Sequence, residues 1–194
     1  METSVRSASS DQKNALISTI LVAFATDPVA RWLCPGAHQY LSRMNEFVDA
    51  FAGASFTHGS AYYVDGYNGA ALWLPPNIQP NEEKMMTIIK DVVPEQRLDA
   101  AFSVFEKMGS FHPGEPHWYL PLIGVDPSQQ GRGYGSQLMK HALERCDREK
   151  TIAYLESSNP RNLSLYIRCG FELVGTIQLA DSPPLFPMVR KPRN

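Results

Sequence analysis

The stretch that decides the fold is LIGVDPSQQGRGYGSQL, residues 122–138. An apolar run, Leu122 to Val125, passes through Asp126-Pro127 to Gln130, after which Gly131, Gly133 and Gly135 alternate with Arg132 and Tyr134. Alternating glycines cost backbone entropy and weaken strands and helices alike. They therefore mark a place where the chain must bend tightly or come close to something. The residues before them read as a strand over Leu120–Val125, and those after them as a helix from about Gly133, with Leu138, Met139, Ala142, Leu143 and Cys146 on its inner face. A helix N-terminus offers unpaired N–H groups and roughly half a positive charge. Glycines let such a backbone approach a phosphate with no Cβ in the way. The segment reads as a pyrophosphate cradle.

The spacing excludes two well-known cradles. No Lys-Ser or Lys-Thr pair follows, as a G-x-x-x-x-G-K-[ST] loop requires. The order G-x-G-x-G, late in the chain, is not the G-x-G-x-x-G that opens a dinucleotide-binding βαβ unit. What is present is Q-x-x-G-x-G, on Gln130, Gly133 and Gly135.

Working outward, helical spacing marks Leu16 to Phe24, then Tyr40 to Ser55, then 81–109, which Pro94 divides into two stripes. SAYYVDGYNGAALWLPP (60–76) reads as a hairpin on its Asp65-Gly66 turn. HWYLPLIGVD and IAYLES read as strands, and NPRNLSLYIRCG (159–170) as a short helix with Asn159 as cap and Gly170 just past its end. FELVGTIQL (171–179) and PLFPMVR (184–190) read as closing strands. Mixed helices and strands without a linker predict one α/β domain over 1–194, with a helical insertion at about 77–115.

Composition sets the outer limits. The chain has 194 residues, 43% hydrophobic and 20% charged, with a net charge of −2. With no basic surplus, neither nucleic acid nor an anionic membrane is expected as a partner. Cys34, Cys146 and Cys169 are far apart and match no metal spacing, so free thiols and no metal are expected. METSVRSASSDQ lacks the apolar core of a signal peptide, and no apolar run nears the roughly 18 residues of a membrane span. A cytoplasmic location is expected.

On these motifs the chain resembles the GNAT N-acetyltransferase superfamily. Within it, the chain is most similar to puromycin N-acetyltransferase-type members through LVAFATDP, ALWLPP, EPHWYLPLIGVDPSQQGRGYGSQL, YLESSNPRNLSLYIRCGF and MVRKP. Asn159 departs from the small apolar residue of the puromycin type, which leaves the identity of the acceptor amine open among drug, polyamine, amino acid and peptide N-terminus. The resemblance implies a mostly antiparallel mixed sheet of six or seven strands, with the strands at 116–126 and 152–157 splayed apart at its centre.

The resemblance also implies a site and an activity. Acetyl-CoA would be the cosubstrate, with no metal and a small-molecule primary amine as acceptor; a homodimer is left open. Ile123, Gly124 and Val125 would meet the pantetheine arm. Gln130, Gly131, Arg132, Gly133, Tyr134, Gly135 and Ser136 would hold the pyrophosphate, and Asn162 and Tyr166 would also contact the cofactor. Tyr166 is the expected general acid and Glu156 the expected base, with His117 as rival base because histidine titrates near neutrality. Backbone N–H groups at a bulge around Val125 are expected to face the oxyanion. Trp118, Tyr119 and Glu156 are the expected acceptor contacts, and the segment 81–109, with Trp73 and Phe111, is expected to roof the acceptor pocket. The alternative from another class is a non-catalytic acyl-CoA sensor, which would keep the cradle without needing the acid and the base.

Overall fold

Strands β2 (Ala61–Val64) and β3 (Gly69–Leu74) are buried at every position, as strands covered on both faces must be. In the computed structural model, which describes residues 4–193, they belong to a seven-stranded sheet. The other strands are β1 (Val5–Ser7), β4 (His117–Val125), β5 (Ile152–Ser157), β6 (Glu172–Leu173) and β7 (Phe186–Arg190), in the order β1-β2-β3-β4-β5-β7-β6. All neighbours are antiparallel except β4 and β5.

Period-two alternation divides the sheet between two apolar cores. Tyr63, Ala70, Leu72, Tyr119 and Tyr154 face one side, covered by α1 (Lys13–Ala23), α2 (Pro28–Leu33), α3 (Ala37–Ala52), α4 (Ala54–Thr57), α5 (Glu82–Val92) and α6 (Leu98–Phe111). Their sequence neighbours Tyr62, Ala71, Trp73, Trp118, Leu120, Ala153 and Leu155 face α7 (Tyr134–Arg148) and the short α8 (Leu163–Arg168). α1 reaches β4 at Gly124, where a Cβ would stand 2.5 Å from that of Ala23. Only glycine permits this crossing.

β4 and β5 pair from His117↔Ile152 to Leu120↔Leu155 and no further, which is the splay the resemblance implies. Its start coincides with a bulge. Leu72 pairs with Leu122 but Leu74 with Tyr119, so Leu120 and Pro121 oppose Trp73 alone. Pro121 has no N–H to give a ladder, and a bulge is where a central strand tolerates it. The bulge expected around Val125 is therefore at Leu120–Pro121.

The strand expected over 171–179 is reduced to β6, whose Glu172 and Leu173 pair with β7, and an isolated bridge from Ile177 to Leu185. Two features interrupt it. The Phe111 ring packs on the bare Cα of Gly175, and Pro183-Pro184 cannot donate to a ladder.

The buried Arg190 of β7 joins three elements. Its Nη1 and Nη2 donate to Asp147 at 2.7 and 2.8 Å near the end of α7, and its Nε donates to the Cys169 carbonyl at 2.9 Å. The Arg190 guanidinium, ahead of other influences, holds the Asp147 carboxyl below its ordinary range. A depressed carboxylate stabilises the fold above its unfolded pKa and loses that contribution as pH falls through the folded one. Asp147→Asn should therefore cost about 3 kcal/mol near neutrality, by leaving a buried guanidinium without its counter-charge. The difference in melting temperature from wild type should shrink as pH is lowered below about 4. A constant difference across pH would remove the ion pair as the cause.

Candidate active site

Beyond Leu120 and Leu155 the gap between β4 and β5 is open, and its backbone polarity follows from the ladder. The Asp126 N–H donates to the Asn68 carbonyl at 3.0 Å, so by antiparallel alternation residues 122, 124 and 126 bond β3. Ile123 and Val125 then direct their N–H and C=O groups into the gap. The Gln130 side-chain amide, donating to the Val125 carbonyl at 3.4 Å, fits this direction.

At the cradle end, Gly133 is the N-cap of α7 with φ +81°, and Gly131 has φ +78°. A Cβ at either would meet nothing within 4 Å. The glycines here serve the left-handed backbone and leave the space before α7 clear. Tyr134, Gly135 and Ser136 form the first turn, whose N–H groups have no intrahelical partner. This donor set fits an anion: no Cβ, an N-terminal dipole and free amides. The exposed Arg132 lies outside the cavity wall.

A cavity of about 520 Å³ joins the cradle to the face covered by α1, α3 and α6. Of the expected contacts, Ile123, Gly124, Val125, Gln130, Gly131, Gly133, Tyr134, Gly135, Ser136, Asn162, Tyr166, Tyr119 and Glu156 line it. Val104, Phe105 and Met108 bring α6 to the wall, so this helix of the 81–109 segment does border the pocket.

Trp118 does not line the cavity, and it corrects the expectation. In the paired part of β4 adjacent side chains face opposite ways, and Trp118 points to the α7 side while Tyr119 points to the other. Trp118 packs under α7, its Nε1–H donates to Glu149 at 2.8 Å, and the Arg145 guanidinium lies 4.5 Å from its ring. Trp73 is fully buried on the same side, and Phe111 is spent on Gly175. His117 is also absent from this cavity. It lines a second cavity, behind Tyr119.

Tyr166 is fixed by the end of α8. Gly170, with φ +93°, turns the chain so that the Phe171 N–H donates to the Tyr166 carbonyl at 3.0 Å. Burial first, then the Asp27 carboxylate and Cys169, push the phenol above its ordinary range, so it keeps its proton. Glu156 stands two residues from Tyr154 on the same strand face, with its side chain only 2% exposed. It accepts the Tyr154 hydroxyl at 2.8 Å. Burial, reinforced by Glu156, holds the protons of Tyr119 and Tyr154 on their oxygens.

Asp27 and Ser158 are wall residues that sequence reading did not single out. Asp27 caps α2, accepting from the Val29 and Ala30 N–H groups at 3.0 Å, and its other oxygen accepts the Ser158 hydroxyl at 2.6 Å. The α1–α2 turn is thus tied to the end of β5 across the cavity wall. Asp27-Pro28 is a legible cap signal. The burial that raises the Asp27 carboxyl comes from distant residues and is not.

Residues 99–171 match the acetyltransferase (GNAT) family. Over 201 aligned residues the chain is 29% identical to an uncharacterized N-acetyltransferase of Schizosaccharomyces pombe, covering 94% of this chain and 80% of that protein. A Corynebacterium glutamicum structure, described as histone acetyltransferase HPA2 and related acetyltransferase, is 25% identical with TM-score 0.70, covering 100% of this chain and 98% of that one. Drosophila melanogaster polyamine N-acetyltransferase, which catalyses formation of N-acetylagmatine, shares the fold at 15% identity and TM-score 0.63, covering 98% of this chain and 100% of that one. Residues 99–171 thus match the acetyltransferase (GNAT) family, and over its whole length the chain is similar to N-acetyltransferases.

Two variants separate the cradle from the core. Gly133→Ala forces an L-residue into the left-handed region, at about 1–2 kcal/mol, and points a methyl into the cleared space. Coenzyme A affinity by calorimetry should fall at least about tenfold, the equivalent of 1.4 kcal/mol. Undiminished affinity would remove the glycines from the binding surface. Trp118→Phe should lower the melting temperature and leave the acceptor KM unchanged, since the indole touches only the α7 side.

Proposed function

We propose that the protein moves an acetyl group from acetyl-CoA to the primary amine of a small, largely apolar molecule, by direct attack in a ternary complex. The observation that carries this is one continuous cavity with a glycine-capped helix N-terminus at one end and a buried carboxylate, Glu156, in an apolar chamber at the other. Phe47, Phe51, Phe105 and Met108 give that chamber its apolar walls and suit an acceptor with a hydrocarbon or aromatic body. A structural neighbour's agmatine substrate is consistent with an amine acceptor of this size class.

Each residue then has a physical task. Amides of the first turn of α7 neutralise the pyrophosphate, and the gap-facing backbone of Ile123 and Val125 receives the pantetheine amides. Glu156 takes the proton that the amine must lose for its lone pair to attack. As the C–N bond forms and the C–S bond breaks, negative charge collects on sulfur. The Tyr166 phenol, which holds its proton firmly, meets that charge as donor. Aligning the two reactants in one cavity supplies much of the remaining rate, since an oriented pair avoids the entropy of encounter.

The test is an acetyl-CoA turnover screen across arylalkylamines, polyamines, amino acids and peptide N-termini. The apolar-bodied amines should have the highest kcat/KM. Coenzyme A binding without turnover of any amine would leave the protein a sensor. Tyr166→Phe should lower kcat by roughly 10²–10³ with acetyl-CoA affinity retained. Glu156→Gln should be slow at pH 7 and recover partly at about pH 9–10, where free amine becomes abundant. Profiles parallel to wild type and lower at every pH would take Glu156 out of the base role.

A further inference from the structure

Behind the acceptor chamber lies a second cavity of about 230 Å³, lined by Asn77, Gln79, His112, Glu115, His117 and Tyr119. Tyr119 borders both cavities. Across this wall runs an unbroken series of polar atoms. Glu156 Oε1 lies 3.4 Å from His112 Nε2, His112 Nδ1 lies 3.0 Å from His117 Nε2, and His117 Nδ1 lies 2.8 Å from the Glu115 carbonyl oxygen.

The tautomers of this series follow from its fixed end. A backbone carbonyl only accepts, so His117 Nδ1 carries a hydrogen. Neutral His117 then presents a lone pair on Nε2, which obliges His112 Nδ1 to carry a hydrogen in turn. His112 Nε2 is left with a lone pair facing the Glu156 carboxylate. Two acceptors thus confront each other across 3.4 Å, and the position between them is where one additional proton fits. The other ionisable groups facing the pair are Tyr154 on β5 and Tyr119 on β4, both held protonated, and the exposed Glu115 on the connecting loop.

We propose that His112 and His117 form a proton outlet, carrying the acceptor amine's proton from Glu156 through the wall to the second cavity and solvent. This rests on Glu156 acting as the base. The transfer balances. Glu156 gives its proton to His112 Nε2, His112 Nδ1 gives one to His117 Nε2, and His117, turning its Nδ1–H off the Glu115 carbonyl, releases that proton to water in the second cavity. Each imidazole returns to its starting tautomer by ring rotation or by reprotonation from solvent. Burial, ahead of other influences, keeps the His117 imidazole below its ordinary range, so it passes a proton on and does not store it. The outlet lets the base reset while the acceptor chamber is still filled.

The experiment compares His112→Ala, His112→Gln and His117→Gln with wild type and Glu156→Gln, in variants that retain coenzyme A affinity and a cooperative melt. His112→Ala should lose at least about tenfold in kcat at pH 7 with acceptor KM unchanged, and added imidazole, entering from the second cavity, should restore it saturably. His112→Gln keeps hydrogen bonds but cannot relay, so it should be slow and poorly rescued, and His117→Gln should be slowed to a lesser degree. Wild-type kcat and pH profile in His112→Gln would overturn the outlet, as would a slow His112→Ala that imidazole does not restore. Should His112→Ala fail to fold, the Gln variants decide in its place, His117 being on the cavity rim. A slow, pH-rescued Glu156→Gln beside normal histidine variants would reject the outlet alone; a normal Glu156→Gln would reject the base reading itself.

Discussion

The separation of β4 from β5 after the Leu120↔Leu155 pair is the constraint on which the rest depends. Unpaired strand backbone inside a protein is costly, because every N–H and C=O turned away from water needs a partner. Here the divergence is produced by a bulge containing Pro121 and held by α1 lying on the bare Cα of Gly124. The polar groups of Ile123 and Val125 face a cavity in place of a neighbouring strand, and a ligand with amides of its own can restore the missing ladder. The glycines after β4 serve the same gap from its end, clearing the space before the α7 N-terminus.

Around this gap the two cores do different work. The α7 side is rigid packing: Trp73 and Leu138 are fully buried, Trp118 nearly so, and Arg190 clasps the far end of the helix through Asp147. The opposite side holds the chamber and almost all the ionisable machinery. Tyr119, Tyr154 and Glu156 project there together because strand side chains two apart, or paired across a parallel ladder, share a face. The helix that carries the cradle is thus anchored by apolar contacts that touch no acceptor. The acceptor side presents α6 and the α1–α2 turn, which are free to differ in shape without disturbing the cradle.

What was legible in the sequence was local or periodic. The glycine spacing, with a strand before it and an amphipathic helix after it, located the left-handed turn and the start of α7. The cap chemistry of Asn159, Pro160 and Gly170 located the short helix α8, whereas Tyr166 itself was singled out only by the family resemblance. One error was local, and the others came from non-local facts. Placing Trp118 beside Tyr119 in one pocket overlooked strand alternation, a rule available in the letters. The bulge at Pro121 depends on the register of β3, and the early end of β6 on a phenylalanine 64 positions upstream packing over Gly175. Asp27 and Ser158 are 131 residues apart, and His112 meets Glu156 only because the α6–β4 connection folds back over β5. No spacing rule relates such pairs.

The alternation of β5 also limits how this chain can change. Leu155 belongs to the α7 core and Glu156 to the chamber, with a single peptide bond between opposite environments. Loss or gain of one residue upstream in the strand would put the carboxylate under α7 and the leucine into the chamber, exchanging every later position in the same way. Such a change cannot be tuned in small steps, because it moves a carboxylate from the polar partners of the chamber into an apolar core and empties its place in the chamber at once. β5 can therefore drift by substitution but not in length, whereas the loops at either end can vary in length. In an engineered or diverging descendant, insertions and deletions should accumulate between Arg148 and Ile152 or after Ser158, and never between them.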